Sequence, residues 1–167
     1  MGAAVPMSTP SQPRPLRILF VCVGNSCRSQ MAEALARHMG GGRVAAYSAG
    51  SSPLGRIAAP TYEVMAEIGI GLDGQWSKGL ADVPAADADV TVTMGCEVFC
   101  PVPAGYRGKI VEWNIPDPYL SGLESYRAVR DQIERELRDL FKAHNIIPAG
   151  APRSGPPPAL GEDCGAT

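Results

Sequence analysis

Leu16-Arg-Ile-Leu-Phe-Val-Cys22, then Val23-Gly-Asn-Ser-Cys-Arg28, then Ser29-Gln-Met-Ala-Glu33 is the stretch from which the fold is read. The first seven residues form an apolar run that reads as a buried strand. A turn follows that contains Gly24 and Asn25, two residue types that tolerate left-handed backbone. From Ser29 the pattern becomes helical, because Met31, Leu35 and Met39 recur at intervals of four on one face. That stripe reads as core packing rather than a ligand surface.

Working outward, the same logic places the remaining elements. Arg43 to Ser48 reads as a second strand. Pro60 at a first helical position and the run Tyr62, Val64, Met65, Ile68 predict a second helix, ended by Gly69. Asp87 to Met94 is a third strand and Lys109 to Trp113 a fourth. Leu123, Tyr126, Val129, Ile133, Leu137 and Leu140 step by three and four into a long amphipathic last helix. Its charges Arg127, Arg130, Asp131, Glu134, Glu136, Arg138 and Asp139 read as one solvated face. Strands alternating with helices predict a single-domain α/β fold with a parallel sheet flanked by helices. Such sheets bind ligands at the carboxyl ends of their strands.

The ends of the chain differ from its middle. Residues 1–15 carry four prolines, and the stretch from residue 146 to Thr167 turns to Pro, Gly, Ala and Ser. Both have the composition of disordered tails, which leaves residues 16–145 as the folded domain. The whole chain has 167 residues, with 45% hydrophobic and 19% charged, enough for a core without disulfide staples. A net charge of −2 supplies no global field for nucleic acid or an anionic membrane. No apolar run approaches the roughly 20 residues of a membrane span, and Met1 to Pro15 has no apolar core of a secretory signal. The expectation is a cytoplasmic protein. Five cysteines, an odd number, then read as catalytic, metal-binding or buried rather than as a disulfide framework.

The loop after the first strand carries the chemistry. Successive backbone N–H groups of Val23, Gly24, Asn25, Ser26 and Cys27 can converge on one tetrahedral oxyanion, helped by the N-terminus of the helix behind them. Arg28 adds a fork for two oxyanion oxygens. The same positive field favours the thiolate of Cys22 at neutral pH, and Ser29 can donate a hydrogen bond to it. The bland alternative is a buried strand-end cysteine beside a surface arginine. The strand, the Gly-Asn turn and the following helix together argue against it.

Cys22 to Arg28 resembles the active-site loop of the low-molecular-weight protein tyrosine phosphatase superfamily. The longer run Gly24-Asn-Ser-Cys-Arg-Ser-Gln-Met-Ala-Glu33 is similar to the arsenate reductase branch of that fold, whose phosphatase cousins usually have Pro where Gln30 stands. The resemblance spans Leu16 to Phe141 and implies a four-stranded parallel sheet. It also implies thiols that act in turn after the third strand, mapped here onto Cys96 and Cys100, although relatives commonly space them more widely than the three residues found here. Two other readings remain for this pair. They can be small core residues, or join Cys22 and Cys27 in a zinc site, which would consume the nucleophile and find no help from His38 or His144. No bound metal or cofactor is expected. Cys27 reads as structural and Cys164 as incidental.

Two further positions follow from the resemblance. In the phosphatase relatives an Asp-Pro loop after strand four supplies the general acid. Asp117, before Pro118, stands at that place, with a simple turn aspartate as the alternative. Trp113 reads as core, and Tyr119 as pocket wall or core. Some arsenate reductases hold a potassium ion with a loop Asn, a Glu on helix one, a Ser after strand two and a later Asp. Asn25, Glu33 and Ser48 match, and Lys78 stands where the Asp is expected. Its ammonium can replace the ion; otherwise Lys78 faces solvent.

The resemblance thus implies arsenate reduction started by Cys22, with Arg28 and the loop holding arsenate or phosphate. It implies a thiol relay to an external reductant, thioredoxin or a glutaredoxin-like protein with a small thiol. A tyrosine phosphatase working through a cysteinyl-phosphate, and a non-catalytic oxyanion sensor, are the rival readings. Weak phosphatase activity is compatible with the reductase, because the loop is shared.

Overall fold

The computed structural model describes residues 13–95 and 102–148. The expected tails up to residue 12 and from residue 149, together with Cys96, Cys100 and Cys164, lie outside the described residues. Four strands, β1 (Leu16–Cys22), β2 (Val44–Gly50), β3 (Val90–Met94) and β4 (Lys109–Trp113), form one sheet in the order β2-β1-β3-β4. All pairings are parallel, with Phe20 opposite Ser48 on one side and Val92 on the other. Three helices connect and cover it: α1 (Arg28–Gly40), α2 (Ala59–Ala66) and α3 (Leu123–Ala143).

Alternation along β1 divides the core, because successive side chains leave a strand on opposite faces. Ile18, Phe20 and Cys22 point into the layer formed by all three helices, where the stripe Met31, Leu35 and Met39 is fully buried beside Ile133, Leu137 and Phe141. Leu19 and Val21 point the other way, under Ala85, Ala88, Leu80 and Tyr106. Trp113 lies in the core, its ring tilted against Phe20 at 5.8 Å between centroids. Thus β1 is buried on both faces, as central parallel strands are. Its carboxyl end delivers Cys22 to the point where β1 stops and α1 begins.

Two sequence expectations change. The third strand starts at Val90, because Ala85–Asp87 forms a short 3-10 turn. The polar side of α3 is not uniformly solvated. Arg130 and Glu134 are buried. Arg130 lies under the C-terminal end of α2, where its Nη1 donates to the Val64 carbonyl at 2.7 Å and to Glu67 at 3.2 Å. Glu134 accepts from Arg138 one turn on. Of the expected N-terminal tail, Arg14 makes a two-point ion pair with Asp89 at 2.9 Å, holding that carboxyl below its usual range by hydrogen bonding. No helix among the described residues is long and apolar enough to cross a membrane.

Candidate active site

The loop between β1 and α1 turns its carbonyls away from the pocket. Cys22 O accepts from Ser51 N–H at 3.0 Å, Val23 O from Ser52 at 2.9 Å and Gly24 O from Leu54 at 3.0 Å. Asn25 O accepts from the Gln30 amide at 3.2 Å, and Ser26 O from Ala58 N–H at 3.1 Å and the Thr61 hydroxyl at 2.9 Å. Every peptide here is trans, so each N–H points opposite to the carbonyl before it. Carbonyls of residues 22–26 facing outward therefore turn the N–H groups of residues 23–27 inward. Those five donors have no acceptor among the described residues. Unpaired backbone donors are costly when buried; Val23, Gly24, Ser26 and Cys27 line a cavity of about 230 Å³ together with Cys22 and Arg28, and donors gathered there make an anion site. The N-terminus of α1 adds its positive end.

The outer partners come from the carboxyl side of β2. Residues 51–58 run alongside the loop, and Gly50 lets them approach: a Cβ there would lie 2.6 Å from Val23 O. Asn25 takes the left-handed turn, with φ 46. The segment from Gln75 to Gly79 braces the other side, where Ser77 donates to Gly24 O at 3.1 Å and Lys78 N–H to Asn25 Oδ1 at 2.9 Å.

Below the loop, the buried polar groups form one chain whose polarity is fixed. Gln75 Nε2 donates to Gln30 Oε1 at 2.8 Å, so Gln30 presents its own amide N–H to Asn25 Oδ1 at 2.8 Å. Asn25 must then direct Nδ2 to Ser29 Oγ at 2.7 Å and Ser48 Oγ at 3.0 Å. Ser29, having accepted, is left with its hydroxyl proton for Cys22 Sγ, 2.9 Å away. Ser48 gives its proton to Glu33 Oε2. The Glu33 carboxylate is buried between two cations: Arg37 at 2.6 Å on one oxygen and Lys78 Nζ at 3.4 Å on the other. Lys78 is itself only 8% exposed, with Ser48 Oγ at 3.3 Å and the Trp76 carbonyl at 3.2 Å. Its ammonium thus lies among Glu33, Ser48 and the Trp76 carbonyl rather than in solvent, while its backbone N–H holds Asn25.

Arg28 closes the site from the strand ends. Its Nη1 donates to the Met94 carbonyl at 2.9 Å and the Ile115 carbonyl at 3.1 Å, and Nη2 lies 3.4 Å from Asp117 Oδ2. Asp117 is half exposed at the pocket mouth, and its other oxygen accepts the Tyr119 N–H at 3.0 Å. Tyr119, Leu54 and Val23 give the mouth apolar walls. Cys27 lines the same pocket, with the Tyr126 hydroxyl 3.4 Å from its sulfur. Burial pushes the Cys27 thiol up, and burial likewise pushes up the Tyr126 phenol. Val23 to Ser29, Cys22, Asp117, Glu33, Ser48 and Lys78 are therefore gathered in one place. Cys96 and Cys100 fall outside the described residues, just beyond Gly95. Among the described residues no three of His, Cys, Asp and Glu gather as metal ligands. Sequence reasoning missed the 51–58 segment, Gln75 and Tyr126; the polar run Ser51-Ser52 at the carboxyl end of β2 was the signal available for the first.

A doubly covered parallel sheet, an anion-binding strand-loop-helix junction and a cysteine at its base define a class of thiol-dependent oxyanion-handling domains. The chain belongs to the low molecular weight phosphotyrosine protein phosphatase family, which matches residues 17–146. It is 37% identical to the glutaredoxin arsenate reductase of Synechocystis over 127 residues, 75% of this chain and 95% of that protein. It is 34% identical to the low molecular weight protein-tyrosine-phosphatase Wzb of Escherichia coli over 140 residues, 77% of this chain and 95% of that one. Among solved structures, an arsenate reductase in the phosphate binding state superposes with a TM-score of 0.68 at 33% identity, covering 76% of this chain and 97% of that one. The thioredoxin-dependent arsenate reductase of Corynebacterium glutamicum gives 0.66 at 32%, covering 81% and 64%.

Proposed function

We propose that this chain reduces arsenate to arsenite. The observation that carries the reading is the loop of residues 23–27, its carbonyls turned outward and its N–H groups without acceptor among the described residues, beside Cys22 in one pocket, in a chain whose relatives include arsenate reductases of both glutaredoxin and thioredoxin type. The five N–H groups and Arg28 hold the tetrahedral anion. The Cys22 thiolate, steadied by the Ser29 proton, attacks arsenic; an arsenic–oxygen bond breaks and water leaves with a proton from Asp117, a reading supported by that carboxyl's position 3.4 Å from Arg28 at the pocket mouth. The Cys96 thiolate then attacks Cys22 Sγ. The sulfur–arsenic bond breaks with its electron pair going to arsenic, which falls from the +5 to the +3 state. Arsenite leaves and a Cys22–Cys96 disulfide remains. Cys100 attacks Cys96 and passes the disulfide outward, and two electrons from an external dithiol close the cycle. Thioredoxin, or a glutaredoxin-like protein with a small thiol, is the partner this scheme needs; no bound cofactor enters it. Such a relay belongs in the cytoplasm, where thiols are kept reduced.

A second activity is favoured by the mouth of the pocket. Val23, Leu54 and Tyr119 form apolar walls that a bare arsenate ion does not require, and they suit the aryl group of a phosphomonoester held by the same loop. Hydrolysis would run through a Cys22 phosphoenzyme with Asp117 as acid, and would not use Cys96.

The test is arsenate-dependent NADPH oxidation with thioredoxin and its reductase, alongside hydrolysis of an aryl phosphate. Turnover in the wild type and its loss in Cys96→Ser, with aryl phosphate hydrolysis retained in that variant, is the expected result. Equal reduction by wild type and Cys96→Ser would remove the relay. Hydrolysis without any arsenate reduction would leave the phosphatase reading alone.

A further inference from the structure

Gly95 is the first residue after β3 and has φ +62. Several glycines of this chain have positive φ, but their surroundings differ. At Gly69, with φ +74, an added Cβ would meet nothing within 4 Å. At Gly95 it would lie 2.7 Å from Arg28 Nη1 and 3.2 Å from the Ile115 carbonyl. The guanidinium of Arg28 therefore passes through the space a side chain at 95 would fill. There it spans the ends of β3 and β4, donating from one nitrogen to both the Met94 and Ile115 carbonyls.

We infer that Gly95 is a positioning residue: its missing side chain lets the Arg28 guanidinium lie across the carboxyl ends of β3 and β4, and so sets where the arginine fork meets the oxyanion. Arg28 has little room to yield. It is 4% exposed, both carbonyl partners are backbone of the sheet ends, and Asp117 lies 3.4 Å from its outer nitrogen. Restoring ordinary contact requires Nη1 to retreat by about 1 Å, toward the pocket or out of its two hydrogen bonds. Weakening a charge-assisted hydrogen bond between the guanidinium and the anion costs on the order of ten- to a hundred-fold in affinity. A guanidinium, unlike a rotating ammonium, cannot recover by turning about its own end, because its fork is planar.

The inference rests on the oxyanion reading of the loop, and the experiment checks that reading first, by titrating inorganic phosphate into the wild-type protein. Three variants follow. Gly69→Ala has the same backbone strain in open space; it should lose a little thermal stability and keep wild-type phosphate affinity. Gly95→Ala should bind phosphate about ten-fold or more weakly. Gly95→Asn separates the two roles a glycine can have, since asparagine accepts left-handed backbone but carries a Cβ. It should stay folded, melting above the alanine variant because the backbone strain is relieved, and still bind phosphate as weakly as that variant. Wild-type affinity in Gly95→Asn would overturn the inference, whatever Gly95→Ala does, because a purely conformational role is rescued by asparagine. No phosphate binding by the wild type would overturn the oxyanion reading itself.

Discussion

Replacing Lys78 by methionine removes one of the two cations that neutralise the buried Glu33 and keeps most of the side-chain volume. Glu33 is 2% exposed, and the Lys78 ammonium lies 3.4 Å from Oε2, with the Trp76 ring 5.7 Å away. Stripping a buried ion pair of one partner costs about 3–5 kcal/mol when nothing else compensates. Here Arg37 still holds Oε1 at 2.6 Å and Ser48 still donates to Oε2, which brings the expected loss to about 2–3 kcal/mol. For a domain of this size each kcal/mol moves the melting midpoint by about 3–5 °C, so Lys78→Met should melt about 6–15 °C below the wild type by calorimetry. The wild-type enzyme should show no preference for potassium over sodium at equal ionic strength, because the ammonium already occupies the space among Glu33, Ser48 and the Trp76 carbonyl. In Lys78→Ala the space is open, and potassium should recover part of the lost midpoint. A Lys78→Met midpoint within about 1 °C of wild type, or several-fold activation of the wild type by potassium, would refute the argument.

Cys22→Ser should abolish both arsenate reduction and aryl phosphate hydrolysis, and Arg28→Lys should lower both by about 100-fold or more, since a point charge cannot reproduce the fork; steady-state assays of the two activities read this out. Gly50→Ala places a Cβ 2.6 Å from Val23 O and should lower phosphate affinity together with stability, measured by titration and melting. At neutral pH iodoacetamide should modify Cys22 and spare Cys27, because burial raises the Cys27 thiol and keeps it protonated; peptide mass spectrometry with and without phosphate decides it, with phosphate protecting Cys22. Raising the pH should bring Cys27 into reaction only above the ordinary thiol range, and modification of Cys27 first would contradict the direction of its shift.

The succession of strands and helices and the oxyanion loop were legible because both rest on local pattern, whereas the sheet order β2-β1-β3-β4 rests on pairing between distant segments. An apolar heptapeptide, a Gly-Asn turn and a helical stripe specify a β-loop-α junction without reference to the rest of the chain. The long last helix was legible in its apolar face and illegible in its charged one. Periodicity says which residues face the sheet, and it carries nothing about what packs against a helix flank. Arg130 is buried because the end of α2 happens to lie there with the Val64 carbonyl unpaired by its own helix. Residues 51–58 were illegible in the sequence for a related reason. Apart from the Leu54 wall, their contribution to the site is made by backbone N–H groups of residues 51, 52, 54 and 58, which every sequence possesses, and Ser51-Ser52 was the one local hint. Lys78 was found by its position in a resemblance, and its burial depends on a carboxylate forty-five positions earlier in the chain.

The loop between Cys22 and Arg28 combines two properties that seldom coincide. Its carbonyls are fastened to neighbouring segments, so it cannot reshape itself, while its N–H groups of residues 23–27 have no partner among the described residues. In amide hydrogen exchange, rigidity and protection ordinarily go together, since protection comes from the hydrogen bond and not from stillness. Here they should separate: these amides are expected to exchange faster than those of the sheet although every carbonyl of residues 22–26 is hydrogen-bonded. An oxyanion entering the pocket would supply acceptors to the donors of the residues that line it, Val23, Gly24, Ser26 and Cys27. The slowing of exchange on adding phosphate or arsenate should therefore be confined to one short peptide and large within it, an isotopic footprint of ligand binding with no change of conformation.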